Sequence, residues 1–160
     1  MGVRNCKELG PGLQRIIRRL LANQNLCKLL YYTDKNPLSH SDFEDTTILY
    51  KDLISFSPRL LPEETAHSYV VPLITSGTGV TGNDEFRDIT IKIYVYVPNK
   101  QWAIKDENLR PFAIIGEIQS SLNKKHINGM GTLTGGDFKI NLLTDDMTCY
   151  TIEYKLTNYD

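Results

Sequence analysis

Glu117-Ile118-Gln119, behind the apolar run Phe112 to Gly116, is the strongest candidate for chemistry in this chain. Metal-dependent nucleases gather carboxylates on adjacent strands to hold a divalent ion, which activates water and stabilises the departing phosphate oxygen. That chemistry needs Glu117 on a strand, whereas the spacing of Phe112, Ile115, Ile118 and Leu122 is helical. The paired acids Glu63-Glu64, Asp84-Glu85 and Asp145-Asp146 fall in predicted turns, where carboxylates are common for backbone reasons. His40, His67 and His126 share no metal-ligand spacing with one another or with a cysteine. Cys6, Cys27 and Cys149 lie far apart without a CxxC pair, which argues against a zinc knuckle or a disulfide framework and suits a reducing compartment. Ser, His and acid residues occur without a nucleophile elbow. Neither Gly77 to Gly82 (GTGVTG) nor Gly129 to Gly136 (GMGTLTGG) ends in the Lys-Ser/Thr of a phosphate loop. No catalytic, cofactor-binding or metal-binding residue is assigned on these grounds, and the chain is expected not to be an enzyme.

The elements that would position such residues are clearer. With 160 residues the chain is expected to form one domain, and its 41% hydrophobic and 23% charged content is that of an ordinary globular protein. A formal net charge of −1 gives no global attraction for nucleic acid or anionic membrane. No signal peptide is expected from the N-terminus MGVRNCKELG, and Cys6 breaks the myristoylation pattern that Met1-Gly2 would open. No apolar run approaches the roughly 18 to 20 residues that span a bilayer.

Phe86 to Val97 (FRDITIKIYVYV) alternates strictly, with Ile89, Ile91, Ile93, Val95 and Val97 on one face and Asp88, Thr90, Lys92, Tyr94 and Tyr96 on the other. That period of two predicts a long strand with one dry face and one polar, tyrosine-rich face. After the breaker cluster Gly10-Pro11-Gly12, the residues Leu13, Ile16, Ile17, Leu20 and Leu21 predict an amphipathic helix. Arg15, Arg18 and Arg19 lie on its other side, a solvated or partner-facing surface in a near-neutral chain. Asn23-Gln24-Asn25 interrupts the pattern before Leu26, Leu29 and Leu30 resume it, so a kink or short second helix is expected.

Residues 33 to 45 read as a loop, 46 to 57 as a strand or short helix, and the prolines Pro58 and Pro62 as a break. His67 to Thr75 reads as a strand in which Pro72, which cannot donate to a neighbour, marks an edge or a bulge. Ser76 to Glu85 reads as a mobile glycine-rich hairpin arm. Pro98 to Glu107 is a connection, Asn108 a plausible N-cap, and Phe112 to Asn123 a second helix with Phe112, Ile115, Ile118 and Leu122 on its apolar face. A turn with a short strand is expected over 126 to 136, then a hairpin of 138 to 144 and 147 to 156. The order gives an α+β domain: an antiparallel sheet, two helices packed on one face and a protruding glycine-rich arm.

That order resembles the tail-terminator (head–tail joining, or neck) proteins of long-tailed bacteriophages. The matching stretches are LQRIIRRLLANQNLCKLLYY, HSYVVPLITSGTGVTGNDEFRDITIKIYVYVP, LRPFAIIGEIQSSL and MTCYTIEYKL, covering roughly residues 10 to 157. Segment 33 to 66 has no counterpart in the pattern. The resemblance implies a structural virion protein of the neck, found in the host cytoplasm during assembly. It implies a ring, usually a hexamer, that caps the tail tube, ends its polymerisation and meets the head connector or stopper. Its partners would be its own copies, the tail-tube protein and the connector, with no membrane, no cofactor and DNA only as cargo. On that reading the arm Gly77, Thr78, Gly79, Val80, Thr81, Gly82 and Asn83 contacts the tube or a neighbouring subunit. Arg15, Arg18 and Arg19 form a second surface, and Tyr94 and Tyr96 either form a third or pack under a helix of the same subunit. The alternatives are another virion component, a tail-tube or head-completion protein, or a small nuclease using Glu117.

Overall fold

The computed structural model describes residues 6–57 and 67–157, with the backbone path alone at 83–87 and 157. The expected proline break over 58–64, with Glu63 and Glu64, lies outside these residues, as does the start MGVRN. Among the described residues three α-helices, α1 (Leu9–Leu21), α2 (Gln24–Tyr31) and α3 (Arg110–Leu122), accompany seven strands. The strands are β1 (Tyr69–Val80), β2 (Asn83–Pro98), β3 (Ala103–Ile104), β4 (Asn108–Leu109), β5 (His126–Ile127), β6 (Gly131–Leu143) and β7 (Met147–Thr157). Five of them form one antiparallel sheet in the order β1-β2-β7-β6-β5, while β3 and β4 make a separate small hairpin. The fold is α+β; the interruption after α1 leads into the short second helix, one of the two expectations there, so three helices and not two accompany the sheet.

Helix α1 begins earlier than the breaker cluster suggests. Gly10, Pro11 and Gly12 lie within its first turns, where Pro11 forfeits no bond that the helix needs. Gly12 is required by packing: a Cβ there would sit 1.6 Å from the Sδ of Met130. Asn23 makes the corner into α2. Its side chain accepts from the Leu26 N–H at 3.0 Å and donates to Glu117 Oε2 at 3.0 Å and Ser121 Oγ at 2.9 Å. One residue thus caps α2 and pins both helices to α3.

The alternation of β2 holds. Ile89, Ile91, Ile93, Val95 and Val97 are all buried, and the register sets Ile91 opposite Tyr154 and Ile93 opposite Ile152 on β7. Directly opposed residues share a face, so these side chains form the floor beneath the helices. Burying each contributes about 1.5–3 kcal/mol. The second face is not uniformly polar, however. Tyr96 is opposed by Tyr69 on one side and Cys149 on the other, and all three are buried, with the two tyrosine rings stacked 4.6 Å apart. Burial pushes the Tyr96 hydroxyl well above its usual pKa. This part of the curled sheet is dry on both faces, and alternation alone could not reveal it.

Residues 33–57 form a strap across α2 rather than a strand. Short 3-10 turns occupy Pro37–Ser39 and Thr46–Leu49. The strap is held by side chains: Gln24 exchanges two hydrogen bonds with the Phe43 backbone (2.9 and 3.0 Å), the buried Lys28 meets Asp42 at 2.6 Å, and His40 stacks on Tyr32 with ring centres 3.7 Å apart. His40 Nε2 lies 2.6 Å from Asp34, and that hydrogen bond holds the Asp34 carboxyl below its usual range. The strap ends beside β1, where Ser55 N–H donates to Val70 O and Val70 N–H to Leu53 O.

Arg110 joins strap, helices and connection. Its guanidinium is fully buried and donates to four backbone carbonyls: Leu29 O at 2.6 Å, Tyr32 O at 2.8 Å, Asp34 O at 2.7 Å and Gln101 O at 2.9 Å. Two of these carbonyls close the C-terminal end of α2, where a cation also meets the favourable end of the helix dipole. Replacing Arg110 with Met leaves four desolvated acceptors, so Arg110→Met should lower unfolding free energy by about 3–5 kcal/mol, and Arg110→Lys by about half that. Urea denaturation measures it; a loss below about 1 kcal/mol for the methionine variant would contradict the assignment.

Candidate functional site

The surface most unlike a closed core lies at the two sheet edges. Strand β2 pairs with β7 only from Thr90 to Pro98, so its outer part pairs with β1 alone. The result is a two-stranded ribbon closed by the two-residue turn Thr81-Gly82, with Val80 opposite Asn83. Gly82 has φ +80°, a turn conformation that glycine takes without a Cβ penalty. At about 3.3 Å per residue the ribbon projects on the order of 20 Å past the three-stranded region. Thr75 to Gly79, Thr81 and Gly82 are exposed, and Val80 is half-buried. The arm read from the sequence as a connection is therefore paired strand almost to its tip. It carries no core residue between Thr75 and Gly82.

At the other edge, β5 covers β6 only at Gly131 and Thr132. Among the described residues, β6 from Thr134 to Leu143 has β7 on one side and no strand on the other. Gly135 and Gly136, with φ +111° and +93°, make a bulge there. A Cβ on Gly135 would lie 2.9 Å from Glu153 O, and one on Gly136 2.8 Å from Asn123 Oδ1. Beyond the bulge, Phe138, Ile140 and Leu143 face the helix side but run past the start of α3. They are left 48%, 50% and 67% exposed. Phe112, expected in the core, is 41% exposed because it projects from the first turn of α3, whose buried set is Pro111, Ile114, Ile115, Ile118 and Leu122. Its ring lies 6.3 Å from Phe138 and 5.6 Å from Tyr150, and Trp102 is 6.4 Å from it. A contiguous aromatic patch thus borders an open strand edge, a combination that proteins normally cover.

The remaining expected residues are dispersed. Arg15 and Arg19 reach the β5 turn, Arg15 donating to Asn128 O at 2.7 Å and Arg19 to His126 O at 3.2 Å, while Arg18 is exposed. Tyr94 is half-buried and Tyr96 is inside the fold, so Tyr96 offers no free surface. The expected tyrosine surface is therefore reduced to Tyr94. Arm, arginines and tyrosines do not converge on one site. Glu117 lies on α3, where Asn23 and Asn25 donate to its two carboxylate oxygens at 3.0 and 3.4 Å. Among the described residues no group of three or more His, Cys, Asp or Glu side chains is arranged to hold a metal. Among the described residues no helix is long and apolar enough to cross a membrane. Cys27 and Cys149 are buried free thiols that desolvation pushes up to about 11, which leaves them un-ionised at neutral pH.

The β6 patch had only a faint sequence signal: FKINLL reads as an ordinary half-buried strand, and nothing local says that its cover is missing. A family model described as YomW matches residues 23–156, a span that includes both edges. No curated protein matches the chain.

The two classes of apolar residue should separate under mutation. Phe138→Ser, at a half-exposed site, should change unfolding free energy by less than about 1 kcal/mol. Ile152→Ala, fully buried opposite it, should cost about 2–5 kcal/mol. Equal costs in urea denaturation would mean that Phe138 belongs to the core of the fold.

Proposed function

This chain belongs to the YomW family, a phage-associated one, and we propose that it is a structural virion subunit of a long-tailed phage that caps the tail tube. In this reading it assembles as a ring, hexameric by the resemblance, ends polymerisation of the tube and joins the tail to the head connector. It acts in the neck of the virion after assembly in the host cytoplasm. Its partners are further copies of itself, the tail-tube protein and the connector, with DNA passing as cargo. It performs no catalysis and needs no cofactor.

The observation that carries the reading is the pair of unlike surfaces at opposite edges of one sheet: the ribbon beside β1, and the open β6 edge with its aromatic patch. Self-association through a two-fold axis uses one self-complementary patch. Head-to-tail association uses two different patches, and it closes into a ring when the rotation between subunits allows. An exposed strand edge supplies main-chain bonds to a neighbour, and Phe112, Phe138 and Tyr150 supply rigid aromatic area for a desolvated interface core. The ribbon is suited to reach because it extends past the body, and its small polar residues make it expendable for folding. A head-to-tail contact whose rotation does not close builds a stack instead, which keeps a tail-tube protein as the second reading.

Replacement of Gly79 to Arg87 by Asn-Gly, which joins the opposed residues Thr78 and Asp88 through a two-residue turn, separates folding from assembly. The shortened chain should unfold within about 1 kcal/mol of the parent, yet fail to complete tails in a phage complementation assay. Tails completed at the normal yield by the shortened chain would remove the arm from the proposal.

A further inference from the structure

Helix α1 and the β5 turn enclose a surface pocket of about 220 Å³ lined by Arg15, Arg18, Arg19, His126, Ile127 and Asn128. The carbonyls of Asn128 and His126 each accept one guanidinium N–H, from Arg15 and Arg19 respectively. A guanidinium has five N–H donors, so each anchored group is held in place with most of its donors still available. Gly129, at φ +81°, lets the turn pass so close that a Cβ would lie 3.4 Å from Arg15 Nη1. Among the described residues no carboxylate pairs with Arg15, Arg18 or Arg19. The exposed Lys124 and Lys125 immediately precede His126 and add to the positive field.

Five permanent cations in one region of a chain whose net charge is −1 is a strong local asymmetry. The C-terminal dipole of α1 accounts for Arg18 and Arg19 in its last turn. It accounts neither for Arg15, a turn earlier, nor for the anchoring of two guanidinium groups around one hollow. Anchored, solvent-accessible forks without a carboxylate partner match the oxygens of a phosphate, which they can bind in bidentate fashion. We propose that this pocket is a phosphoryl-binding site, filled either by the sugar-phosphate backbone of nucleic acid or by a free phosphate group. The site does not depend on ring formation, since every residue in it belongs to one subunit.

The test uses the full chain and two probes. A fluorescein-labelled duplex of about 20 base pairs is titrated by anisotropy at salt concentrations between about 50 and 200 mM, and inorganic phosphate is titrated by calorimetry and as a competitor. Arg18→Gln is the diagnostic variant because Arg18 is exposed and spends no bond on the fold; Lys105→Gln, exposed in the β3–β4 turn, is the control. The proposal expects Arg18→Gln to weaken binding about three- to tenfold and, for the duplex, to lower the slope of log K against log salt by about 1. Lys105→Gln should change neither. Duplex binding that phosphate reduces only through ionic strength identifies nucleic-acid backbone as the ligand; phosphate binding without duplex binding identifies a free phosphoryl group. Binding of neither probe overturns the proposal, as does binding that Arg18→Gln leaves unchanged or that both variants weaken equally.

Discussion

One buried cation organises the helical side of this protein. The Arg110 guanidinium, fully enclosed, gathers carbonyls from the end of α2 at Leu29 and Tyr32, from the strap at Asp34, and from the connection at Gln101. A buried charge without such partners would cost several kcal/mol, so each of these segments is constrained to bring its oxygen to the same point. The constraint reaches further than the four bonds. It fixes the start of α3, and with it the direction in which Phe112 leaves the helix. It also ends the helical cover at the level beyond which Ile140 and Leu143 of β6 stand uncovered. The exposed patch is in this sense a consequence of where Arg110 anchors α3.

The sheet divides its labour along its length. Near Tyr69, Tyr96 and Cys149 it is buried on both faces and gives the domain a rigid centre. Toward the hairpin turn it thins to two strands and loses its core residues; toward β6 it keeps apolar side chains but loses its cover. Rigid core, projecting ribbon and sticky edge are thus successive parts of one hydrogen-bonded surface. Displacement of the central strands β2 or β7 would move both edges together. A subunit built this way presents its contacts in a fixed relative orientation, and that is the requirement for a head-to-tail assembly to close.

Much of this was legible in the residue pattern. The period of two in Ile89 to Val97 and the helical period in Leu13 to Leu21 each record a face that meets the core, and both held. What stayed hidden depended on distant chain. Arg110 reads as a surface residue until four carbonyls are brought to it, although a cation at a helix N-terminus, against the dipole, is a local inconsistency that could have flagged it. Tyr96 reads as polar-face because the drying of the second face comes from Tyr69 and Cys149, far apart in the chain. Phe112 fits the helical spacing of Ile115 and Ile118 yet sits beyond the edge of the cover. Gly135-Gly136 reads as a turn, whereas the pair makes a bulge that β6 continues through. The strap over 33–57 has no periodicity to read, since polar side-chain bonds hold its first half and the irregularly spaced Leu49, Leu53 and Ile54 seat its second half in the core.

The central claim is that unlike surfaces at the two sheet edges close the chain into a ring at the end of a tail tube. Electron microscopy of purified tubes mixed with the chain, with native mass measurement of the chain alone and with tubes, addresses it most directly. The account predicts a closed ring seated as a single layer on one tube end, where tube growth stops. A chain that remains monomeric at high concentration and in the presence of tail tubes would contradict it.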